Sequence, residues 1–259
     1  MKKFTALLLA ILMTLTLFAG CGAKEDSDLA YVKKNGKLIV GITDYAPMDY
    51  KDENGNWTGF DAEFAQLVAK ELGVEVEFFV LSDWGQKFYE LETKNIDCVW
   101  NGMTITEEAL LNASVSDPYV INAQVIVMKA DVVGNYTDTD PLKGLTFAVE
   151  SGSAGEAALV DLGITGFTAL QDQTSALMEV KAGTAQACVI DITMANAMTG
   201  EGTNYADLAA GISLTSEEYG VAFRKGSDIT AEFNKIMEAL IADGTLQALA
   251  DKYQLTLAK

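Results

Sequence analysis

The sequence predicts an α/β protein built as two lobes of similar plan, joined by a two-strand hinge with a ligand cleft between them. Short apolar runs alternate with amphipathic stretches of helical period, the pattern of buried, largely parallel strands covered by helices. The alternation occurs twice, and both series close alike. LETKNIDCVWNG and VKAGTAQACVID each run helix, turn and apolar strand with a cysteine, then end on a polar residue, Asn101 or Asp191. Coincidence between two ordinary βα units is the competing account. Two extended runs, 119–129 and 217–226, supply the passes between lobes. A hinge of that kind serves closure around a ligand.

The chain opens with Lys2 and Lys3, an apolar run over 4–19, and small residues leading to Gly20 and Cys21. This reads as a signal peptide, residues 1–21, outside the fold. LFAGC resembles a bacterial lipobox, with Cys21 as the lipidated first residue of the mature protein. A transmembrane anchor is the alternative, but the run is short for a span. Residues 22–28 then read as a flexible tether. About 240 residues follow Gly20, enough for one large domain or two ordinary ones.

Without Lys2 and Lys3, 16 basic residues face 37 acidic ones, a net charge of −21. Such a surface repels nucleic acid. It serves solubility, or a preference for cationic ligands. The absence of histidine removes His-dependent triads, general bases and metal sites. Cys98 and Cys188 each sit in an apolar strand-like run and read as separate buried thiols.

In order, the first series predicts a strand at 38–42, a helix at 60–72, a strand at 74–81, a helix at 84–93 and a strand at 97–100. Gly59 turns the chain into the helix, and Asp61 and Glu63 occupy its first turn, where negative charge is favoured. The second series predicts a strand at 145–149, a helix at 153–162, a strand at 167–170, a helix at 174–182 and the strand ACVID. After 226 the chain reads as helical. SDITAEFNKIMEALIADG carries an aspartate as its cap, and TLQALADKY makes a last short helix.

VGITDYAPMDYKDENGNWTGFDAEFAQLVAKELG, IDCVWNGMTITEE with VSDPY, GLTFAVESGSAGE, ACVIDITMA and YGVAFRKGSDITAEFNKIMEALIADGTLQALADKY occur in that order over 37–253. Together they resemble the amino-acid-binding branch of the bacterial extracellular solute-binding proteins of ABC importers, family 3. The resemblance implies the type II periplasmic-binding-protein fold, with a first lobe from residues 29–120 and 226–259 and a second from 121–225. It also implies an amino-acid ligand in the cleft and a closed form that docks on an ABC permease. The expected protein is a monomer, held on the extracellular face of the bacterial cytoplasmic membrane by its lipid, with no catalytic residues. No nucleotide or metal motif is visible, so no cofactor is expected; GSAG lacks the lysine of a phosphate loop.

Asp44 and Tyr45 follow a buried strand at its carboxyl end, where open α/β sheets present ligands. Alone they read as an ordinary capped loop; the resemblance places them at the cleft. Trp84 is either core or, by the resemblance, an apolar wall against the ligand side chain. Asn101, Gly102, Met103 and Thr104 carry a strand into a loop, offering the Gly102 carbonyl and the Thr104 hydroxyl to an ammonium. Asp191 resembles the family aspartate that pairs with the α-amino group, and otherwise caps the following helix. A carboxylate meeting an ammonium makes a charge-assisted bond, stronger than a neutral one.

The family has an arginine three residues after the threonine at 106, clamping the ligand carboxylate; here that place is Ala109, and the only arginine is Arg224. One account puts the carboxylate on the backbone N–H groups of Ser153, Ala154 and Gly155 and the Ser153 hydroxyl, at a helix start whose candidate site residues are Gly152, Ser153 and Ala154, helped by Thr104, water or Lys87. A second is a cationic amine without a carboxylate, held by Asp44, Asp83 and Asp191 against Tyr45 and Trp84. A third is loss of transport function, with the fold kept as a sensor module or as a lyase or dehydratase.

Overall fold

The computed structural model describes residues 27–258; the signal peptide, Cys21 and tether residues 22–26 lie outside the described residues. Helix α1 (Asp28–Asn35) is capped by Ser27, whose side chain accepts from the Ala30 N–H. Residues 27 and 28, expected in the tether, therefore belong to the fold. The chain continues through β1 (Lys37–Ile42), the small hairpin β2 (Tyr50–Lys51) and β3 (Trp57–Thr58), α2 (Phe60–Leu72), β4 (Glu75–Val80), α3 (Lys87–Glu92), β5 (Cys98–Val99), α4 (Glu107–Asn112) and β6 (Ala113–Val115). Strand β7 (Val120–Asn122) then leads to β8 (Gln124–Lys129), β9 (Phe147–Glu150), α5 (Ala154–Asp161), β10 (Phe167–Leu170), α6 (Gln173–Ala182), β11 (Ala187–Asp191), α7 (Ile192–Met198) and β12 (Leu208–Ser213). The return runs through β13 (Glu217–Tyr219) and β14 (Ala222–Arg224) into α8 (Ile229–Ala242) and α9 (Thr245–Lys252).

Two five-stranded sheets result, ordered β4-β1-β5-β14-β6 and β10-β9-β11-β8-β12. In each, the first three strands pair in parallel and the fourth runs antiparallel between the third and the fifth. Strands β5 and β11 occupy the same third place, so Asn101 and Asp191 leave their sheets at equivalent points. Cys98 and Cys188 lie buried on these two strands as free thiols.

The lobes are linked where β7 pairs antiparallel with β13, Asn122 opposite Glu217 and Val120 opposite Tyr219. Strand β14 lies between β5 and β6 in the first sheet. The return crossing is therefore at β13, and the boundary expected at 225 moves back, because Val99 and Val115 recruit Ala222 into the first sheet.

The first lobe is sealed by aromatic rings from distant segments. Phe64 of α2 packs edge-on to Trp100 at 4.8 Å, and Trp100 packs edge-on to Phe233 of α8 at 5.1 Å. Edge-to-face pairs are a favoured ring arrangement and bring the C-terminal helices back onto the first sheet. Asp228 precedes α8 but does not cap it through its side chain, which instead accepts from the Leu29 N–H at 3.0 Å. Helix α1 is thereby tied to α8.

Arg224 completes this arrangement. Its Nε donates to Asp28 Oδ2 at 2.9 Å, Nη1 to the Ile96 carbonyl at 2.7 Å and Nη2 to Asp97 Oδ1 at 3.0 Å, with 8% of the residue exposed. Removing one partner of a buried ion pair strands the others. Arg224→Leu is expected to destabilise the protein by about 3–5 kcal/mol, read as a lowered urea midpoint.

Candidate functional site

Four parallel strands end at one place. The carboxyl ends of β1 and β5 from the first sheet face those of β9 and β11 from the second across a cavity of about 230 Å³. This is smaller than the ~300–1,000 Å³ of pockets that take drug-sized molecules. Tyr45, Trp84, Asn101, Gly102, Met103 and Thr104 line one side; Gly152, Ser153, Ala154 and Asp191 line the other. Asp44 does not line it. It is an exposed residue, and partial desolvation followed by the charge of Asp172 pushes its pKa up.

On the first-lobe side most polar groups are already engaged. The Asn101 amide donates to Thr43 Oγ1 at 2.7 Å and its oxygen accepts from the Thr43 N–H at 3.0 Å, so Asn101 ties the β1 and β5 ends together. The Gly102 N–H donates to Asp61 Oδ2 at 2.6 Å, and the Tyr119 hydroxyl donates to the same atom at 2.8 Å. Gly102 has φ +56°, and a Cβ there would fall 2.5 Å from a Tyr45 ring carbon. Only glycine suits that turn. Thr104 donates its hydroxyl proton to Glu217 Oε2 at 3.0 Å, which leaves its oxygen as an acceptor facing the cavity.

Tyr45 reaches across the molecule. Its hydroxyl lies 2.6 Å from Thr193 Oγ1 and 2.5 Å from the Tyr219 hydroxyl, with Thr193 and Tyr219 2.9 Å apart. This buried triangle joins the loop after β1, helix α7 of the second lobe and the hinge strand β13. Trp84, in the 3-10 turn before α3, is 8% exposed and walls the cavity.

On the second-lobe side Asp191 is 4% exposed and held by amides. Asn122 and Gln124 donate to Oδ1, the latter at 2.8 Å; Gln173 donates to Oδ2. Its side chain makes no cap bond to α7, so the capping alternative is set aside. Burial raises its pKa from 3.8 to about 6, with Glu217 adding to the rise and Gln173 and Asn122 opposing it.

The start of α5 is closed by a variant of the capping box, the carboxylate returning one residue before the N-cap Ser153. Ser153 Oγ accepts from the Glu156 N–H at 3.1 Å, and the Glu156 carboxylate accepts from the Gly152 N–H at 2.6 Å. The Ser153 N–H points back to the Glu150 carbonyl at 3.3 Å. The helix-start clamp expected from sequence is therefore narrower, because the Ser153 N–H is taken by the Glu150 carbonyl, while the Ser153 hydroxyl accepts from Glu156 and keeps its proton to donate. The N–H groups of Ala154 and Gly155, in the first turn, lack an intrahelical acceptor.

Besides Asp191, two buried charged residues line the cavity, Lys87 and Glu150. Lys87, 6% exposed, directs Nζ at the Trp84 and Gly152 carbonyls, both at 3.3 Å, and lies 4.8 Å from the centre of the Trp84 ring. Burial lowers its pKa against Glu108, Glu150 and Asp83. Its bond to Gly152 crosses between lobes. A Cβ on Gly152 would sit 2.8 Å from Gly85 Cα, so the lobes touch backbone to backbone above the cavity. Ala109 lines the same cavity, its N–H donating to Thr106 Oγ1 at 3.1 Å. Asp83 caps the turn through the Gly85 N–H at 2.9 Å, away from any role as an amine holder.

Glu150 was not among the sequence candidates. It ends β9 as Asp191 ends β11, is 5% exposed and faces the cavity. An acid closing an otherwise apolar strand, FAVE, was the signal, and it matches CVID in the neighbouring strand. Burial, then Asp191 and Asp172, raise its pKa from 4.5 to about 8 against Gln173 and Lys87.

The chain compares closely with known proteins. The family model for bacterial extracellular solute-binding proteins, family 3, matches residues 38–256. The L-cystine-binding protein TcyJ of Escherichia coli (strain K12) is 32% identical over 252 residues, covering 93% of this chain and 92% of that protein. The arginine-binding extracellular protein ArtP of Bacillus subtilis (strain 168) is 32% identical over 261 residues, 98% of each. Among solved structures, the P235GK mutant of ArgBP from T. maritima superposes with a TM-score of 0.81 at 34% identity, covering 87% of this chain and 98% of that one.

The raised carboxyls set a pH dependence. Glu150 and Asp191 hold protons in the folded protein that the unfolded chain has already released, so the stability they contribute is present below their ordinary values and is lost as pH rises through the folded ones. Asp49 and Asp61, raised by burial, act in the same direction. Glu63 and Asp228, which burial would raise but hydrogen bonds hold low overall, act at lower pH. The melting temperature of the unliganded protein is expected to fall between pH 4.5 and about 8, and Glu150→Gln to flatten the upper part of that fall.

Proposed function

Because the chain belongs to the bacterial extracellular solute-binding proteins, family 3, we propose that it captures a polar amino acid or close derivative between its lobes and delivers it to an ABC permease, anchored to the membrane by a lipid on Cys21. The observation that carries this reading is Asp191. A buried carboxylate, oriented by three amides and facing a cavity closed over by both lobes, is poised for an ammonium. The Thr104 oxygen supplies a further acceptor. Relatives named for L-cystine and arginine support an amino acid as the ligand class.

The ligand carboxylate is assigned to Lys87 and the first-turn N–H groups of Ala154 and Gly155. A helix start alone contributes about 0.3–2 kcal/mol, whereas an unpaired buried charge costs several, so the lysine is the necessary part. Lysine is a point charge rather than a planar fork, and reaches the carboxylate from the opposite wall once Ala109 leaves the family arginine's space open. Ligand bonds to both lobes favour the closed state over the open one, which is the condition for a ligand to drive closure.

A cationic amine without a carboxylate is the second reading, favoured by the acids at the cavity: Glu107, Glu108, Glu150 and Asp191 against Lys87. The two readings separate in a thermal-shift screen of the full chain against amino acids and the matching amines lacking the carboxylate. For an amino-acid receptor, Asp191→Asn is expected to weaken binding by about 10- to 100-fold. Lys87→Met should weaken the amino acid while leaving its decarboxylated counterpart unchanged. Stabilisation by amines alone would install the second reading, and turnover of a bound compound would replace both with an enzyme.

A further inference from the structure

The amino-acid reading leaves one buried acid of the cavity without a cationic partner. A zwitterion brings an ammonium for Asp191 and a carboxylate for Lys87, and these cancel. Glu150 remains. Glu107 and Glu108 line the cavity but are exposed, where water screens them. Glu150 and Asp191 are the buried acids of the lining, and neither takes part in the ion pairs formed among the described residues. Lys87 directs its hydrogen bonds at two backbone carbonyls rather than at Glu150. Gln173, the amide beside Glu150, also serves Asp191.

A buried carboxylate is stable when paired with a cation or neutralised by a proton. The residues around Glu150 supply no cation in contact with it, and the place that remains open beside it is the ligand cavity. Resting on the amino-acid reading above, we propose that Glu150 is the specificity-determining residue of this cleft, selecting an amino acid whose side chain carries a second cationic group and whose net charge is +1. Asp44 and Asp172 add negative charge near the cleft. Such a field concentrates cationic ligands before they bind.

The test is calorimetric titration of the full chain with L-arginine, L-ornithine, L-citrulline and L-cystine. Citrulline keeps the length and shape of arginine and replaces the guanidinium by a neutral urea group. Cystine has two ammonium groups but also two carboxylates. The tighter of arginine and ornithine is expected to bind about 10- to 100-fold more tightly than citrulline, the size of a charged hydrogen bond. Glu150→Gln should bring that ratio to within about threefold, by weakening the cationic ligand and sparing citrulline.

Since the variant removes a buried acid that the fold destabilises whenever it ionises, its unliganded melting temperature should hold or rise, which separates lost binding from lost folding. Equal binding of citrulline and the cationic amino acids, a preference for cystine, or an unchanged ratio in Glu150→Gln would overturn the inference while leaving an amino-acid receptor standing. Silence with every amino acid would remove the receptor reading and the inference with it.

Discussion

The cleft and hinge are organised around carboxylates brought out of water with amides and hydroxyls, not cations, as their partners. Asp191 is held by Asn122 of β7, Gln124 of β8 and Gln173 of α6. Neutral donors orient a carboxylate without cancelling its charge. The same principle extends to Glu217, which accepts from Asn122, Gln124 and Thr104 and so connects the hinge strand to both lobes. The cavity is thus prepared in shape and unbalanced in charge. In the proposed reading, a ligand that met this imbalance from both lobes at once would favour the closed form.

Arginine illustrates how a single residue type is divided between fold and site. The one arginine of the chain ties α1, β14 and the segment before β5 together through Asp28, Asp97 and the Ile96 carbonyl. Its planar fork can meet three acceptors at once, which an ammonium on a flexible stem matches poorly. In the cavity the small side chain of Ala109 and the buried Lys87 of α3 line the same first-lobe wall. Lysine there is also a fastener, since its Nζ reaches the Gly152 carbonyl on the other lobe.

The two-lobed α/β plan was legible from sequence because it rests on local periodicity. Helix α2 spans the predicted 60–72 and β10 the predicted 167–170, and the twin endings at Asn101 and Asp191 fall at equivalent places in the two sheets. The strand ends also pointed to the cavity, since ligands collect at the carboxyl ends of parallel strands. Asp44 misled because it follows the correct strand but faces solvent, while its neighbour Tyr45 turns inward. Glu150 was overlooked because an acid at the end of an apolar strand looks like the first residue of a loop.

By itself the sequence determined the α/β class, the duplication, the buried strands and the absence of histidine chemistry, all of which follow from residue type and spacing within a few turns of chain. Only the tertiary structure decided which polar groups are free to meet a ligand. Thr104 donates to a partner 113 residues away and Tyr45 bonds one 148 residues away, while the N–H groups of Gly152 and Ser153 are occupied by Glu156 and Glu150 close by. A hydrogen-bonding group is defined by what it faces after folding, and spacing along the chain does not carry that information.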